Sequence, residues 1–361
     1  MRKDRTFNAQ SLNDKRLNAK IQKMDSITHI MIGVVTGEIV AGNTLGKKAL
    51  LWGAAIANLP DLDVIAQSFL LPAQSLLFHR GPTHSIIFCA LLVPLLAKLM
   101  VVIHKNTKSQ LGMWLKLSAW CLFSHIFIDC FNTYGTAVFY PFSNFRLAFD
   151  SVGIVDIFLI LPLLSALICF IFVKRRRQTR KIIAISAISL ATLYVCFTVF
   201  NKLSIEKKTE KFLSQHNINY NRILTSPVLL TNFVWLVIIE DEDGFFAANY
   251  SRKNQDIICN QYFPKNHYLS KGFNDDAEFR RLVRFSRGYY CLAKNENSEI
   301  VFYDLRFASF DFDGTADVSK AVFHHILKIN NTGKLTIKRN YPKRVVNWEK
   351  LKRYYHQIIR D

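Results

Sequence analysis

Two stretches of this chain, 182–200 (IIAISAISLATLYVCFTVF) and 157–173 (IFLILPLLSALICFIFV), run for 19 and 17 residues without a charge. A helix needs about 20 such residues to cross the hydrocarbon core of a bilayer. Inside lipid only helices and closed barrels satisfy their own backbone groups. Residues 85–103 carry one charge, Lys98, near enough to an end to snorkel. Residues 113–131 are apolar apart from Lys116 at one end and His125 and Asp129 at the other. Residues 27–45 and 49–66 are weaker and hold Gly33, Gly37, Gly42 and Gly53, small residues suited to close helix packing. The expectation is a mainly α membrane domain over residues 24–200 with six spanning helices, followed by a smaller soluble α+β domain over 201–361.

The net charge of +20 is compatible with a nucleic-acid binder. However, many of the basic residues sit in short loops beside apolar runs, which points to anionic membrane lipid as the partner and not to nucleic acid. The most basic loop, Lys174 to Lys181, is expected on the cytoplasmic side of the inner membrane. Alternation of the helices then puts His29, Asp61, Asp63, His79, His84, His125, Asp129 and Asp156 at one membrane face, the outer one. Residues 1–23 are polar and basic, without the apolar core of a signal peptide. They read as a flexible extension, with Met24 as a candidate start.

Beyond residue 200, Lys202 to Lys211 reads as a charged helical connector. Strand-like runs follow at Val234–Ile239, Gly244–Tyr250, Glu299–Phe310 and Lys334–Lys338, the first two joined as a hairpin through Glu240–Gly244. The seven cysteines include no CxxC pair. Cys259 and Cys291 are either a disulfide or two free thiols.

Ionisable groups are costly at such depths: a central Asp costs roughly 2.5–3.5 kcal/mol on the insertion scale. A cluster of them requires a compensating partner, and a metal ion is the most economical one. His125 and Asp129 lie four residues apart and share a helix face, as Asp25 and His29 do. Each pair alone is equally a helix-surface hydrogen bond. Asn58-Leu59-Pro60-Asp61-Leu62-Asp63 offers two carboxylates at a helix end, where Pro60 stiffens the backbone. In His79-Arg80-Gly81-Pro82-Thr83-His84-Ser85, Gly81 and Pro82 prepare a helix start between two imidazoles. Arg80 adds a donor for an anion. Asn132, in Asn132-Thr133-Tyr134-Gly135, reads as a metal ligand, as substrate-binding or as a helix stop.

The candidate ligands are therefore Asp25, His29, Asp61, Asp63, His79, His84, His125 and Asp129, with Asp156 as a bridging or supporting carboxylate. Asp61 and Asp63 are the catalytic candidates, and Arg80 and Asn132 the substrate-binding ones. Nitrogen and oxygen donors without cysteine suit Zn²⁺, with Mn²⁺ or Fe²⁺ open. The supply exceeds one tetrahedral shell, so more than one ion is expected. His216, His267, His324, His325 and His356 lack carboxylates at useful spacing and read as surface or structural residues.

The ordered set Met24–His29, NLPDLD, HRGPTHS and HIFIDCFNTYG resembles the membrane-bound metal-dependent hydrolase family of bacterial inner-membrane proteins. That family is similar in its metal-site pattern to zinc-dependent phospholipases C and related nucleases. The resemblance covers roughly residues 24–200 and implies a metal-activated water that attacks a phosphoester, lipid phosphoesters included. The alternative is a non-enzymatic membrane protein with a structural metal site or ion pathway and a C-terminal binding module.

Overall fold

A computed structural model describes residues 26–67, 69–104, 110–173, 177–228, 232–251, 257–307, 309–310, 316–317, 323–330 and 334–340. The basic extension, Asp25 and His356 lie outside the described residues. The chain begins with helix α1 (26–45) and α2 (Lys47–Ala57). A 3-10 turn (Pro60–Leu62) leads into the short α3 (Asp63–Gln67) and then α4 (Pro72–Phe78). Two long helices follow, α5 (Ile86–Ile103) and α6 (Leu111–Asp129), and then α7 (Ile157–Phe172) and α8 (Arg177–Gln215).

Of the six expected spans, three helices (α5, α6 and α8) are long and apolar enough to cross a membrane. A fourth is formed if α2 and Pro60–Gln67 are taken as one span bent by 49°. The bend falls where Pro60, which has no N–H to give, begins a new turn. Helix α7 has 16 residues, about 24 Å of rise against a hydrocarbon core of about 30 Å. α1 is made less apolar by the polar residues it buries, Thr28, His29, Thr36 and Glu38.

Glycines let α1 and α2 touch backbone to backbone. A Cβ on Gly53 would lie 2.0 Å from the Gly33 oxygen, and one on Gly37 would lie 2.2 Å from the Ala49 oxygen. This is the small-residue packing of membrane helices. Farther along α1, Glu38 receives Arg180 of α8 in a two-pronged pair (2.8 and 2.7 Å). The same guanidinium donates to the Phe170 oxygen at 2.8 Å. Removing one partner of a buried pair strands the other charge, at a cost of about 3–5 kcal/mol. Glu38→Gln is therefore expected to lower the unfolding temperature in detergent markedly, and the double variant Glu38→Leu/Arg180→Met far less. Equal losses in the two variants would contradict this account.

Helix α8 extends 39 residues, about 58 Å, so the expected connector at 202–211 is a continuation of the membrane helix. Its distal part packs on a four-stranded antiparallel sheet of β1 (Arg222–Pro227), β2 (Val234–Glu240), β3 (Gly244–Ser251) and β4 (Ile257–Pro264). Trp235, Val237 and Ile239 of β2 face Ile205 and Leu213 of α8. The alternate residues Leu236 and Ile238 face Tyr289, Cys291 and Leu305. With both faces covered, the strand reads as an unbroken apolar run.

The turn between β2 and β3 closes as expected, with Glu240 opposite Phe245 and Asp241 Oδ1 accepting from the Asp243 and Gly244 amides. A second four-stranded antiparallel sheet contains β5 (Tyr290–Lys294), β6 (Ile300–Asp304), β9 (His324–Ile329) and β10 (Leu335–Asn340). The two-residue strands β7 (Ser309–Phe310) and β8 (Ala316–Asp317) pair with each other. The expected strand at 299–310 thus breaks at a 3-10 turn, Leu305–Phe307. Cys291 is a free, buried thiol, and the Cys259 side chain lies outside the described residues.

The two regions share a core. Ala73 and Leu76 of α4 are buried with Phe279, Leu282 and Phe285 of α9 (Ala277–Phe285) and with Leu292 and Phe302 of the second sheet. At the α8 junction, Asn201 donates to Asn232, and Asn232 donates to the Ser151 oxygen at 2.8 Å. The α+β region therefore sits over the end of the bundle where α6 stops and α7 starts.

Candidate metal centre

Four separate elements deliver ionisable side chains to one buried point. His29 comes from the first turn of α1, and Asp61 from the 3-10 turn at the bend after α2. His84 closes a second 3-10 turn, Pro82–His84, just before α5. His125 and Asp129 come from the last turn of α6, where their four-residue spacing puts both on one face.

The donor atoms are spaced as a coordination shell. His84 Nε2 and His125 Nε2 are 3.0 Å apart. Asp129 Oδ2 is 3.3 Å from the first and 3.4 Å from the second. Asp61 Oδ1 is 3.5 and 3.7 Å from the same two nitrogens. Donors about 2.0–2.1 Å from a tetrahedral ion stand roughly 3.3–3.4 Å from one another. Asp129 Oδ2 is buried and accepts no hydrogen bond among the described residues. His84, His125 and Asp129 turn two imidazole nitrogens and one carboxylate oxygen toward one point, with Asp61 beside the imidazoles, so the residues fit a divalent ion held by three donors. The groups able to hold an ion are His84, His125 and Asp129, and His29, Asp61 and His125. They share His125.

The supporting layer is dense. Asp129 Oδ1 meets His29 Nε2 and Arg80 Nη2, both at 3.1 Å. The His29 ring stacks on His125 with centroids 3.8 Å apart. Arg80 is buried and adopts φ of 54°, a left-handed conformation costing of order 1–3 kcal/mol in a non-glycine residue. Asp63 does not enter either ion-holding group. It binds His79 Nδ1 (2.9 Å), the Arg80 amide (3.0 Å) and Thr83 Oγ1 (3.2 Å). Thr83 Oγ1 in turn lies 3.0 Å from His84 Nδ1 and fixes that ring's orientation, the usual duty of a ligand's neighbour. Burial opposes a charge on His84, but its contacts to Asp129 and Asp61 prevail and raise it to about 9.

The remaining candidates lie nearby. Asn132 Oδ1 accepts from the Tyr134 amide. Asp156 caps α7 through the Phe158 and Leu159 amides and accepts the Tyr194 hydroxyl. Both line a small cavity that also touches His29 and Asp129. His324 and His325 are buried in the second sheet and not at the surface, His267 stacks on Tyr290, and His216 is exposed.

Three contributors escaped the motif reading. Thr83 was visible only as a neighbour of His84. Arg146 has no sequence signal at all: it donates to the oxygens of Leu77, His79 and Gly135 and so clamps the turn that carries His79 to His84. Burial lowers Arg146 to about 10, so it stays charged at neutral pH. Tyr134 donates to the Leu76 oxygen at 2.7 Å and is pushed up to about 12 by burial, which keeps its proton in place.

The centre opens to solvent beside Asp61. The Asp61 side chain is 14% exposed, whereas those of His84, His125 and Asp129 are at most 1% exposed.

Fold and cluster together define an integral membrane protein with a buried His/Asp centre able to hold metal, covered by an α+β region. The chain belongs to the YdjM inner membrane protein family, which it matches over residues 24–205. It is 23% identical over 346 residues to the uncharacterized protein YfhP of Bacillus subtilis (strain 168), covering 91% of this chain and 98% of YfhP. It is also 32% identical over 124 residues to the inner membrane protein YbcI of Escherichia coli (strain K12), covering 33% of this chain and 69% of YbcI. No solved structure matches the chain.

Proposed function

We propose that this protein is an inner-membrane hydrolase that cleaves a phosphoester at a divalent-metal centre on the extracytoplasmic face. The observation that carries the reading is the asymmetry of the centre: three fully buried donors, His84, His125 and Asp129, grouped to hold an ion, and Asp61 outside that group on the solvent side. Structural metal sites are closed, whereas catalytic ones hold the ion with three protein ligands and keep one position open. Zn²⁺ suits the donor set, and Mn²⁺ and Fe²⁺ suit it as well. His29, Asp61 and His125 form the alternative ion-holding group, which draws on the same His125 imidazole.

When bound, such an ion supplies Lewis acidity to a phosphoryl oxygen and makes a nearby water more acidic. The chain supplies the rest. Asp61 stands at the solvent side and takes the proton of the attacking water. Arg80, fixed on Asp129, keeps positive charge beside the centre as negative charge develops on the phosphoryl oxygens. Asp63, His79 and Thr83 hold the His84 ring in register.

The test uses the full chain in detergent, with elemental analysis and hydrolysis of bis(p-nitrophenyl) phosphate. Stoichiometric divalent metal is expected. Asp61→Asn should retain most of it and lose about 10²–10⁴-fold in kcat, the usual value of a general base. His84→Ala should lose both metal and activity. Protein without bound metal, or His84→Ala with undiminished turnover, would overturn the reading.

A further inference from the structure

An apolar groove of about 420 Å³ lies among the membrane helices directly beside the centre. That volume is within the roughly 300–1,000 Å³ of small-molecule sites. Its lining runs along α1 from Ile32 to Val40, along α6 from Trp120 to Ile128 and along α8 from Ile188 to Val195, with Leu159 contributed by α7. On α1 and α6 the lined length is about 12 Å of helix rise.

Both linings start at the metal end. Ile32 is one turn beyond His29, and Ile128 is the residue before Asp129. Ile128 and Leu159 are also walls of the small polar cavity that touches His29, Asp129 and Asn132. Groove and centre are therefore neighbours across a shared wall.

The lining excludes a polar occupant. Its hydroxyls are Thr36, Ser124 and Thr192, of which Ser124 and Thr192 bond to oxygens of their own helices. Trp120, Phe123 and Phe127 are exposed on the protein surface at membrane depth, so the groove opens sideways to lipid and not to water.

We propose that this groove seats one acyl chain of a membrane phosphoglyceride and presents its phosphate to the His/Asp centre. The proposal rests on the phosphoesterase reading and names its substrate class. Hydrocarbon gains little on leaving a bilayer for an apolar groove, since lipid tails are themselves apolar. Selective occupancy must therefore come from the phosphate at the metal end, and this makes the proposal testable.

The full chain is reconstituted in vesicles of phosphatidylcholine with a trace of phosphatidylglycerol bearing a diazirine in one acyl chain. Diacylglycerol with the same labelled chain serves as the comparison. The metal-loaded protein should be labelled on 32–40 and 120–128. Chelation should lower that labelling about fivefold or more, the scale of coupling between linked sites. Ala191→Trp, which fills the groove from α8, should abolish it with metal content unchanged. Ala191→Leu, a milder filling, should weaken it if the tryptophan variant fails to fold. Equal groove labelling by diacylglycerol, or labelling spread over the lipid-facing Leu91 and Leu95 of α5, would overturn the proposal while leaving the hydrolase reading intact. Groove labelling by the phospholipid without any hydrolysis would support the seat and overturn the hydrolase reading.

Discussion

Replacing Asp129 with alanine should empty the centre and destabilise the chain. Its two oxygens serve different partners, Oδ2 facing His84 and His125 and Oδ1 facing His29 and Arg80. On the proposed reading the carboxylate is a buried ligand, so without it bound metal should fall to below about one-tenth of the unaltered protein's content, since even indirect supports of a metal site are worth 10–100-fold. It also deprives the buried Arg80 guanidinium of the carboxylate 3.1 Å away, at a cost of about 3–5 kcal/mol. Asp129→Asn separates the two effects: it keeps the volume and a hydrogen-bonding oxygen, so it should fold better than the alanine variant while still failing to retain metal. Elemental analysis and thermal unfolding in detergent give both readouts. A metal content in Asp129→Asn matching that of the parent would refute the assignment of Oδ2 as a ligand.

The second large effect is expected far from any ionisable group. At Gly53 a Cβ would lie 2.0 Å from the Gly33 oxygen and 3.0 Å from the Gly37 Cα. These are backbone atoms, so no side chain can swing aside, and Gly53→Leu must push α1 and α2 apart. Overpacking typically costs about 1–3 kcal/mol where side chains can yield, so a cost at or above that range is expected here. The functional loss should exceed the stability loss, because α1 carries His29 and α2 leads into Asp61. Gly112→Ala is the control: a Cβ there meets nothing within 4 Å. If Gly53→Leu unfolds at the parent's temperature and keeps its metal, the close approach has no consequence.

Much of the centre was legible because its residues must violate the composition around them. His29, Asp61, His84, His125 and Asp129 stand out against apolar flanks, and alternation of the helices brings them to one face. Spacing alone could not separate ligands from their supports. Asp63 has the same chemistry as Asp61 and lies two residues away, yet the bend at Pro60 turns it toward His79 and the Arg80 amide. Asp156 looked equally available and is used to cap α7. Arg146 was invisible because its partners are backbone oxygens, which leave no residue pattern.

In the fold, the hairpin at 240–244 followed from its turn residues, as local chemistry allows. The membrane helices were less well read. Composition reports apolar character but not how far a helix reaches, so the 17-residue run of α7 was counted as a span and the helix end at Pro60 was not read as a bend within one. The strands β1, β4, β5 and β9 went unrecognised because their apolar residues are few or interrupted by polar ones, and pairing with neighbours determines them.

The placement of α4 bears on when the centre becomes complete. The turn from His79 to His84 follows directly on a helix whose Ala73 and Leu76 are buried among residues of α9 and the second sheet. Arg306, beyond that helix, reaches the Thr133 oxygen at 3.3 Å, and Arg287 grips Asp150. During synthesis the membrane helices emerge first and can gather His29, His125 and Asp129 by themselves. The segment holding His84 gains its final support only after residues some two hundred positions later have been made and folded. A ribosome-bound or truncated chain would thus carry an unfinished centre, and the activity proposed for the intact protein would begin only after the last third of the chain had folded.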